Sequence, residues 1–137
     1  MLRDRLVSAL RKNFPEVPFA FGQSPNPVAT LPAVVPEIGA LEIYDDGDEA
    51  TVCFTDITHG HFNPYDESLG NSDAETWITN AVVEFLQDLF SDHVLLWRRP
   101  DRRTGGWANF KDTPDPTHFV RGREYFLWSR PHPNPKA

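Results

Sequence analysis

Two histidines separated by a single glycine, His59 and His61, are the side chains in this sequence whose spacing most directly suggests chemistry. In an extended segment their imidazoles lie on the same side of the chain, and the carboxylate of Asp56 comes shortly before them. Two histidines and one carboxylate can bind a transition metal and leave coordination positions open for a substrate. Asp56, His59 and His61 are therefore a candidate metal site, and a metal-dependent enzyme is one hypothesis.

The simpler interpretation of the same histidines is a pair in a loop that holds no metal, because the sequence departs from the metal motifs with this spacing. The residue that follows the pair at the next alternate position is Asn63, which is a poor metal ligand. On this interpretation the protein needs no cofactor. We expect it not to be an enzyme.

Acidic residues form a second candidate site. A turn in the middle of the chain and the exposed side of a predicted helix both carry carboxylates, and together they predict a partner-binding surface made of Asp45, Asp46, Asp48, Glu49, Glu84 and Asp88. The turn is too short to surround a calcium ion with six to eight oxygens, so a calcium loop is disfavoured. A surface of this charge would bind a basic protein.

The charge of the chain is distributed in blocks. Residues 37–92 contain fourteen acidic residues and no lysine or arginine, whereas residues 1–36 carry a formal charge of +2 and residues 93–137 a charge of +5. The simpler expectation is that the acidic block pairs with the C-terminal arginines inside the fold. The alternative is an exposed interaction surface. Nucleic acid is excluded as a partner of the acidic block, because its phosphates require clustered cations.

Alternating residues predict the hairpin that carries most of these candidates. Leu41 and Ile43 share one face of the first strand, and Val52 and Phe54 share one face of the return strand. Asp46-Gly47 lies between them and is a strong hairpin-turn signal. Cys53 is then a strand residue beside acidic neighbours, which would raise the pKa of its thiol and make it a poor nucleophile.

Helical periodicity and turn signals predict the remaining elements. A leucine stripe indicates an N-terminal amphipathic helix, a Ser72–Glu75 capping box opens a second helix, and 15–38 and 58–71 are expected to be mostly irregular. The expected elements are helices at 2–14 and 72–90 and strands at 41–44, 51–55, 93–99, 107–111 and 123–130. This order predicts an α+β fold, with one mainly antiparallel sheet of about four to five strands and two helices on one face. We expect a single domain over 1–130 and a disordered proline-rich tail over 131–137.

Composition narrows the setting in which the protein works. No stretch of the 137 residues is apolar enough to span a membrane, and charges interrupt the N-terminal segment where a signal peptide would need an apolar run. The single cysteine, Cys53, cannot form an intramolecular disulfide. A cytoplasmic location without membrane contact is the resulting prediction.

The small size, the acidic block on a hairpin and helix, and the weakness of every catalytic motif resemble the immunity proteins that accompany bacterial toxins. The hairpin sequence DDGDEATVCFTDITHGHF is also similar in character to bacterial domains without an assigned function. Immunity proteins commonly present acidic surfaces to the basic active sites of nuclease toxins. The resemblance implies a small bacterial protein that is non-catalytic and binds a basic protein partner.

Overall fold

The computed structural model describes residues 1–101, 104–110 and 120–130 and confirms the α+β class. The helices are α1 (Leu2–Asn13) and α2 (Asn71–Phe90), with a short 3-10 helix at Pro36–Ile38. The first sheet contains, in spatial order, β1 (Ala20–Phe21), β2 (Ala29–Pro32), β3 (Ala40–Asp45), β4 (Ala50–Phe54) and β5 (Thr58–Phe62). The second sheet contains β6 (Val94–Arg98), β7 (Gly105–Asn109) and β8 (Glu124–Phe126), in the order β7-β6-β8.

Helix α1 forms as its leucine spacing predicts. Leu2, Leu6 and Leu10 recur every four residues and are all buried. Burying each leucine side chain stabilises the fold by about 1.5–3 kcal/mol, before conformational entropy is subtracted. The helix ends at Asn13, shortly before Pro15, which lacks the amide hydrogen that a continuing helix requires. The predicted amphipathic helix is confirmed.

Strands β3 and β4 pair in the register that their alternation predicts. Leu41 lies opposite Phe54 and Ile43 opposite Val52, and these four side chains are buried in the main core. The intervening residues of both strands point to the other face of the sheet, which we call the outer face. Its central side chains are Glu42, Tyr44, Thr51, Cys53, His59 and His61.

The prediction of an irregular 58–71 is wrong over its first five residues, which form strand β5. A tight turn precedes it, in which the amide of Ile57 donates to the carbonyl of Phe54 at 2.9 Å. Gly60 points inward, and the ring of Trp107 on β7 fills the space where a Cβ would lie. A glycine at an inward position usually indicates a break in a strand. Here the tryptophan of the other sheet supplies the missing packing.

The proline-rich segment is more regular than predicted. It contains two short strands, and β2 lies between β1 and β3 in the sheet even though it ends at Pro32. The proline is tolerated because β1 pairs only with Ala29 and Thr30, so that β2 is the edge of the sheet at Pro32. Just before β2, the amide of Val28 donates to the carbonyl of Ile43 at 2.7 Å, which anchors the segment to the hairpin.

Helix α2 carries the predicted buried stripe but not the predicted cap. Its buried residues include Ile78, Val82, Phe85, Leu86 and Leu89. The helix begins at Asn71 with Gly70 as its N-cap, and no side chain caps its first turn. Ser72 and Glu75 do not form the predicted capping box, because Arg5 of α1 engages both side chains, at 2.8 Å and 3.2 Å.

The strands after α2 form a separate sheet rather than extending the first one. Strand β6 lies within the predicted 93–99, whereas β7 begins two residues earlier than predicted and β8 is shorter than the predicted 123–130. Trp107 joins the two sheets, with its ring 5.7 Å from that of Phe54 and 4.9 Å from that of Phe85. The predicted tail, 131–137, lies outside the described residues, as do 102–103 and 111–119.

Candidate functional site

An open cleft of about 580 Å³ lies where the β3–β4 turn meets the loop after β5 and the start of α2. Each of the three segments contributes at least one carboxylate to its lining. The described acidic lining residues are Asp48, Asp66, Glu67 and Glu75. Tyr65 lies on the rim, and the buried side chain of Ile78 forms part of the wall. We call this feature the acidic cleft.

The β3–β4 turn is built by its own backbone and by Asp45. The amide of Asp46 donates to the carbonyl of Glu49 at 2.9 Å, and Gly47 adopts a positive φ of 88°. One carboxylate oxygen of Asp45 accepts from the amide of Gly47 at 2.8 Å, and the other accepts from the amide of Arg3 at 3.0 Å. Asp45 thus stabilises the turn and connects it to α1. Asp48, at the other end of the turn, lines the cleft.

The loop after β5 is shaped by two side chains that cap their own backbone. The side-chain oxygen of Asn63 accepts from the amide of Tyr65 at 2.7 Å, and Asp66 accepts from both the amide and the hydroxyl of Ser68, at 3.0 Å and 2.5 Å. These hydrogen bonds to the ionised carboxylate lower the pKa of Asp66 below its usual range. Asp66 therefore contributes a negative charge to the cleft even at mildly acidic pH.

Tyr65 is the most exposed aromatic side chain of this region. The residue is 79% exposed, and its backbone has a φ of 53°, in the left-handed region that aromatic residues rarely adopt. Such a conformation costs of order 1–3 kcal/mol and persists only when the surrounding structure imposes it. The loop therefore holds a large aromatic ring at the rim of a cleft lined by carboxylates.

Most of the acidic residues in the cleft have no counter-ion among the described residues. Glu75 pairs with Arg5 at 3.2 Å and lies 3.7 Å from the N-terminal amine of Met1. In the described part of the chain, Asp48, Asp66 and Glu67 form no ion pair, and the cleft lining includes no lysine, arginine or histidine. The arrangement is suited to accept cationic groups from outside.

The described arginines of the C-terminal basic block form no ion pair with the carboxylates of the cleft, and pairing by the rest of that block stays a prediction. Among the described arginines of the basic block, Arg98 forms an ion pair with Glu124 of the same block, at 3.6 Å. It also donates to the main-chain carbonyls of Glu37 and Asp56, at 3.0 Å and 3.4 Å. Arg123 stacks over the ring of Trp97, with its guanidinium 3.7 Å from the ring centroid.

The six carboxylates predicted to bind a partner make different contacts, and their role in binding stays a prediction. Asp48 lines the cleft, whereas Asp45 stabilises the turn and Asp46 and Glu49 interact with the outer face of the sheet. Glu84 and Asp88 lie on α2 well past Glu75, and Glu84 is nine residues beyond it, or about 13 Å along the helix axis. Of the six, Asp48 is the member that lines the cleft.

The cleft residues that the prediction omitted are Tyr65, Asp66, Glu67 and Glu75. One local signal for them exists in the sequence. Asn63-Pro64 followed by Asp66-x-Ser68 is typical of consecutive turns stabilised by side chains, and such turns indicate an ordered loop. The sequence pattern assigns Glu75 to a helix cap and therefore does not predict its position in the cleft lining.

The two histidines project side by side from β5, as their spacing predicts. Their ring centroids are 5.2 Å apart, and His61 lies opposite Thr51 while His59 lies opposite Cys53. The carboxylate of Asp56 lies beside Gly39, in the β4–β5 turn. The structure does not bring Asp56 into one ligand group with the histidine pair.

His61 instead meets two carboxylates of the β3–β4 turn. Among the described residues, Asp46, Glu49 and His61 are the one group of three metal-ligating side chains whose ligand atoms lie within 4.8 Å of one another. His61 Nδ1 is 2.6 Å from Glu49 Oε2 and 3.0 Å from the hydroxyl of Thr51. The Thr51 hydroxyl in turn donates to Asp46 Oδ2.

Cys53 lies on the outer face between Glu42 and His59, which are its cross-strand neighbours. Partial burial, and to a smaller extent the charge of Glu42, raise the pKa of its thiol. The same two causes, together with a hydrogen bond to Glu42 at 3.0 Å, raise the pKa of Tyr44. Both groups are therefore protonated at neutral pH, and Cys53 is a weak nucleophile.

Comparisons with known proteins give this chain no relative. No protein-family model matches it, no curated protein matches it, and no solved structure matches it. In the described part of the chain, neither helix combines the length and the apolar character needed to cross a membrane.

Proposed function

We propose that this chain is a non-catalytic binding protein whose acidic cleft docks a basic segment of a partner protein. The observation that carries the proposal is the set of three cleft carboxylates, Asp48, Asp66 and Glu67, that have no counter-ion among the described residues. Carboxylates held close together repel one another, and a cationic partner would relieve that repulsion.

The exposed ring of Tyr65 supports the same proposal. Tyrosine is enriched among the residues that dominate binding energy, because it offers a large apolar area and a hydroxyl with little loss of side-chain entropy. The face of the ring can also attract an arginine or lysine side chain from the partner. The backbone strain at Tyr65 does not stabilise the free protein. The ring, which is 79% exposed beside carboxylates, instead offers contact area to a partner.

The partner expected from this site is a protein segment rich in arginine or lysine. An immunity-like role, in which the cleft covers the basic active site of a toxin, is the specific form of the proposal that the sequence resemblance favours. The cytoplasmic location expected from the single cysteine belongs to the same proposal. Electrostatic complementarity of this kind mainly sets the association rate and the choice of partner.

A charge-matched pair of double variants tests the proposal with an oligo-arginine peptide as the probe. Asp48→Asn/Glu67→Gln removes two charges from the cleft, and Glu84→Gln/Asp88→Asn removes the same two residue types from α2. Each exposed pair across an interface contributes about 0.5–1 kcal/mol, so we expect the cleft variant to bind the peptide about tenfold more weakly. The α2 variant should remain within about twofold of the native protein. Binding is measured by isothermal titration calorimetry at low salt.

Equal weakening by the two double variants would contradict the proposal, because the peptide would then respond to net charge rather than to the cleft. Failure of the native protein to bind the peptide would contradict it as well. Tyr65→Ala adds a second readout that net charge cannot explain. We expect it to weaken binding several-fold, whereas Tyr65→Phe should retain most of the affinity.

A further inference from the structure

A second group of ligating side chains lies on the outer face of the sheet, apart from the acidic cleft. It consists of Asp46, Glu49 and His61, and none of these residues lines the cleft. The group combines an imidazole with two carboxylates, and it therefore differs chemically from the purely acidic lining of the cleft. The donor types and the distances between them do not depend on the proposed function of the cleft.

The backbone brings the three side chains together through the register of the hairpin. Pairing of β4 with β5 puts Thr51 opposite His61, and Ala50, which follows Glu49, opposite Phe62. The turn hydrogen bond from the amide of Asp46 to the carbonyl of Glu49, at 2.9 Å, holds both carboxylates at the same end of the hairpin. The positions of the ligands are thus set by strands and a closed turn rather than by a long loop.

Thr51 contacts two of the three side chains. Thr51 is 9% exposed, and its hydroxyl donates to Asp46 Oδ2 and lies 3.0 Å from His61 Nδ1. The hydrogen bond from Thr51 orients the Asp46 carboxylate, as hydrogen bonds to metal-ligating carboxylates commonly do, whereas a metal at His61 Nδ1 would replace the contact between that nitrogen and Thr51. The ligand side chains themselves remain open to solvent, since that of His61 is 45% exposed and that of Glu49 is 25% exposed. An ion can therefore reach them directly.

The distances fit a small transition-metal ion. With bonds of about 2.1 Å, two ligands of a tetrahedral zinc lie roughly 3.4 Å apart. The ligand atoms of the group lie within 4.8 Å of one another, and the 2.6 Å contact between His61 and Glu49 would have to open by less than about 1 Å. Side-chain rotation is sufficient for both adjustments.

We propose that Asp46, Glu49 and His61 form a binding site for a divalent transition metal, with zinc as the best match. An imidazole ligand favours zinc, nickel or copper over magnesium and calcium, which prefer oxygen donors alone. Three protein ligands leave a fourth tetrahedral position for water or for a group from another molecule. The site is distinct from the predicted trio of Asp56, His59 and His61, with which it shares only His61.

The test is a titration of zinc chloride into tag-free protein, followed by calorimetry and by the shift in melting temperature. His61→Ala and Glu49→Gln remove ligands of the proposed site, whereas His59→Ala and Asp56→Asn remove those that belong only to the predicted trio. We expect each of the first two changes to weaken zinc binding at least about tenfold. The two control variants should remain within about threefold of the native protein, and magnesium chloride should give no shift in melting temperature.

Two results would overturn the proposal. One is the absence of zinc binding by the native protein at millimolar zinc. The other is an equal loss of affinity in His59→Ala and His61→Ala together with no loss in Glu49→Gln, which would assign the metal to the histidine pair alone. Because all the substituted side chains are at least partly exposed, circular dichroism of the metal-free variants serves as the control for folding. The titration contains no peptide, so its outcome is independent of the acidic cleft.

Discussion

The acidic cleft and the surroundings of Arg98 hold charged groups in opposite ways. Arg98 is only 3% exposed, and its guanidinium contacts Glu124, two main-chain carbonyls and the ring of Phe126. The cleft, by contrast, exposes carboxylates that have no counter-ion among the described residues. The positive charge at Arg98 joins the second sheet to the turns of the first, whereas Asp48, Asp66 and Glu67 are exposed to solvent.

Among the described residues, the buried arginine of the basic block pairs with a carboxylate of its own block and not with the acidic block. Burying a charge is expensive unless hydrogen bonds and a counter-ion compensate it, and Arg98 obtains both within a few ångströms. Exposed carboxylates have no such requirement, because water solvates them. We therefore expect substitutions at Arg98 to change stability, and substitutions in the cleft to change binding.

The largest expected effect is that of Arg98→Ala. It leaves Glu124 without its cation and the carbonyls of Glu37 and Asp56 without their donor, so the free energy of unfolding should fall by about 3 kcal/mol. Arg99→Ala is the matched control, because Arg99 is exposed, and it should change stability by less than about 0.5 kcal/mol. Urea unfolding measures both. Similar losses in the free energy of unfolding for the two variants would show that the contacts of Arg98 do not stabilise the fold.

The second largest expected effect is that of salt on the affinity of the cleft for the peptide. Raising sodium chloride from about 50 mM to about 500 mM shortens the range of electrostatic interactions severalfold, and binding of the oligo-arginine peptide should weaken at least about tenfold. Calorimetry at the two salt concentrations provides the measurement. An affinity that does not depend on salt would show that charge does not drive the interaction.

A smaller effect is expected on the stability of the cleft variant. Asp48→Asn/Glu67→Gln removes repulsion between carboxylates without breaking any ion pair among the described residues, so the free energy of unfolding should stay constant or rise by up to about 0.5 kcal/mol. Urea unfolding at low salt is the appropriate measurement. A loss of more than 1 kcal/mol would mean that these carboxylates are structural, as Arg98 is.

The smallest effect concerns the titration of Asp66. The Ser68 hydroxyl and amide lower the pKa of this carboxyl, so Ser68→Ala should raise it toward its ordinary value. Because the folded-state pKa lies below the unfolded one, the stabilising contribution is complete above the ordinary pKa and is lost as pH falls through the folded-state pKa. Carboxyl chemical shifts measured by NMR against pH test this, with Ser8→Ala on α1 as the control. An unchanged titration would show that the Ser68 hydroxyl has no influence.

Local patterns were sufficient to predict the hairpin and both helices. Alternation placed Leu41, Ile43, Val52 and Phe54 in the core, and Asp46-Gly47 placed the turn. Strand β5 was missed because glycine, histidine and asparagine all indicate a loop, and the compensating contact comes from Trp107, which is distant in sequence. Packing between sheets cannot be read from a short window of residues.

The candidate sites were less predictable than the fold. Asp48, Asp66, Glu67 and Glu75 come from three segments, so their convergence depends on how the hairpin tip meets α2. His61 was paired in the prediction with Asp56, its neighbour in sequence, whereas the register of β4 and β5 brings it to Asp46 and Glu49. A carboxylate's role therefore followed from its tertiary neighbours more than from its sequence spacing.

The most direct test of the acidic cleft as a binding surface is NMR mapping of the native protein with the oligo-arginine peptide. We expect the largest amide shift changes on Asp48, on 63–70 and on the first turn of α2. We expect small changes at Glu84 and Asp88. Shift changes centred on Glu84 and Asp88, or spread evenly over all exposed carboxylates, would contradict this expectation.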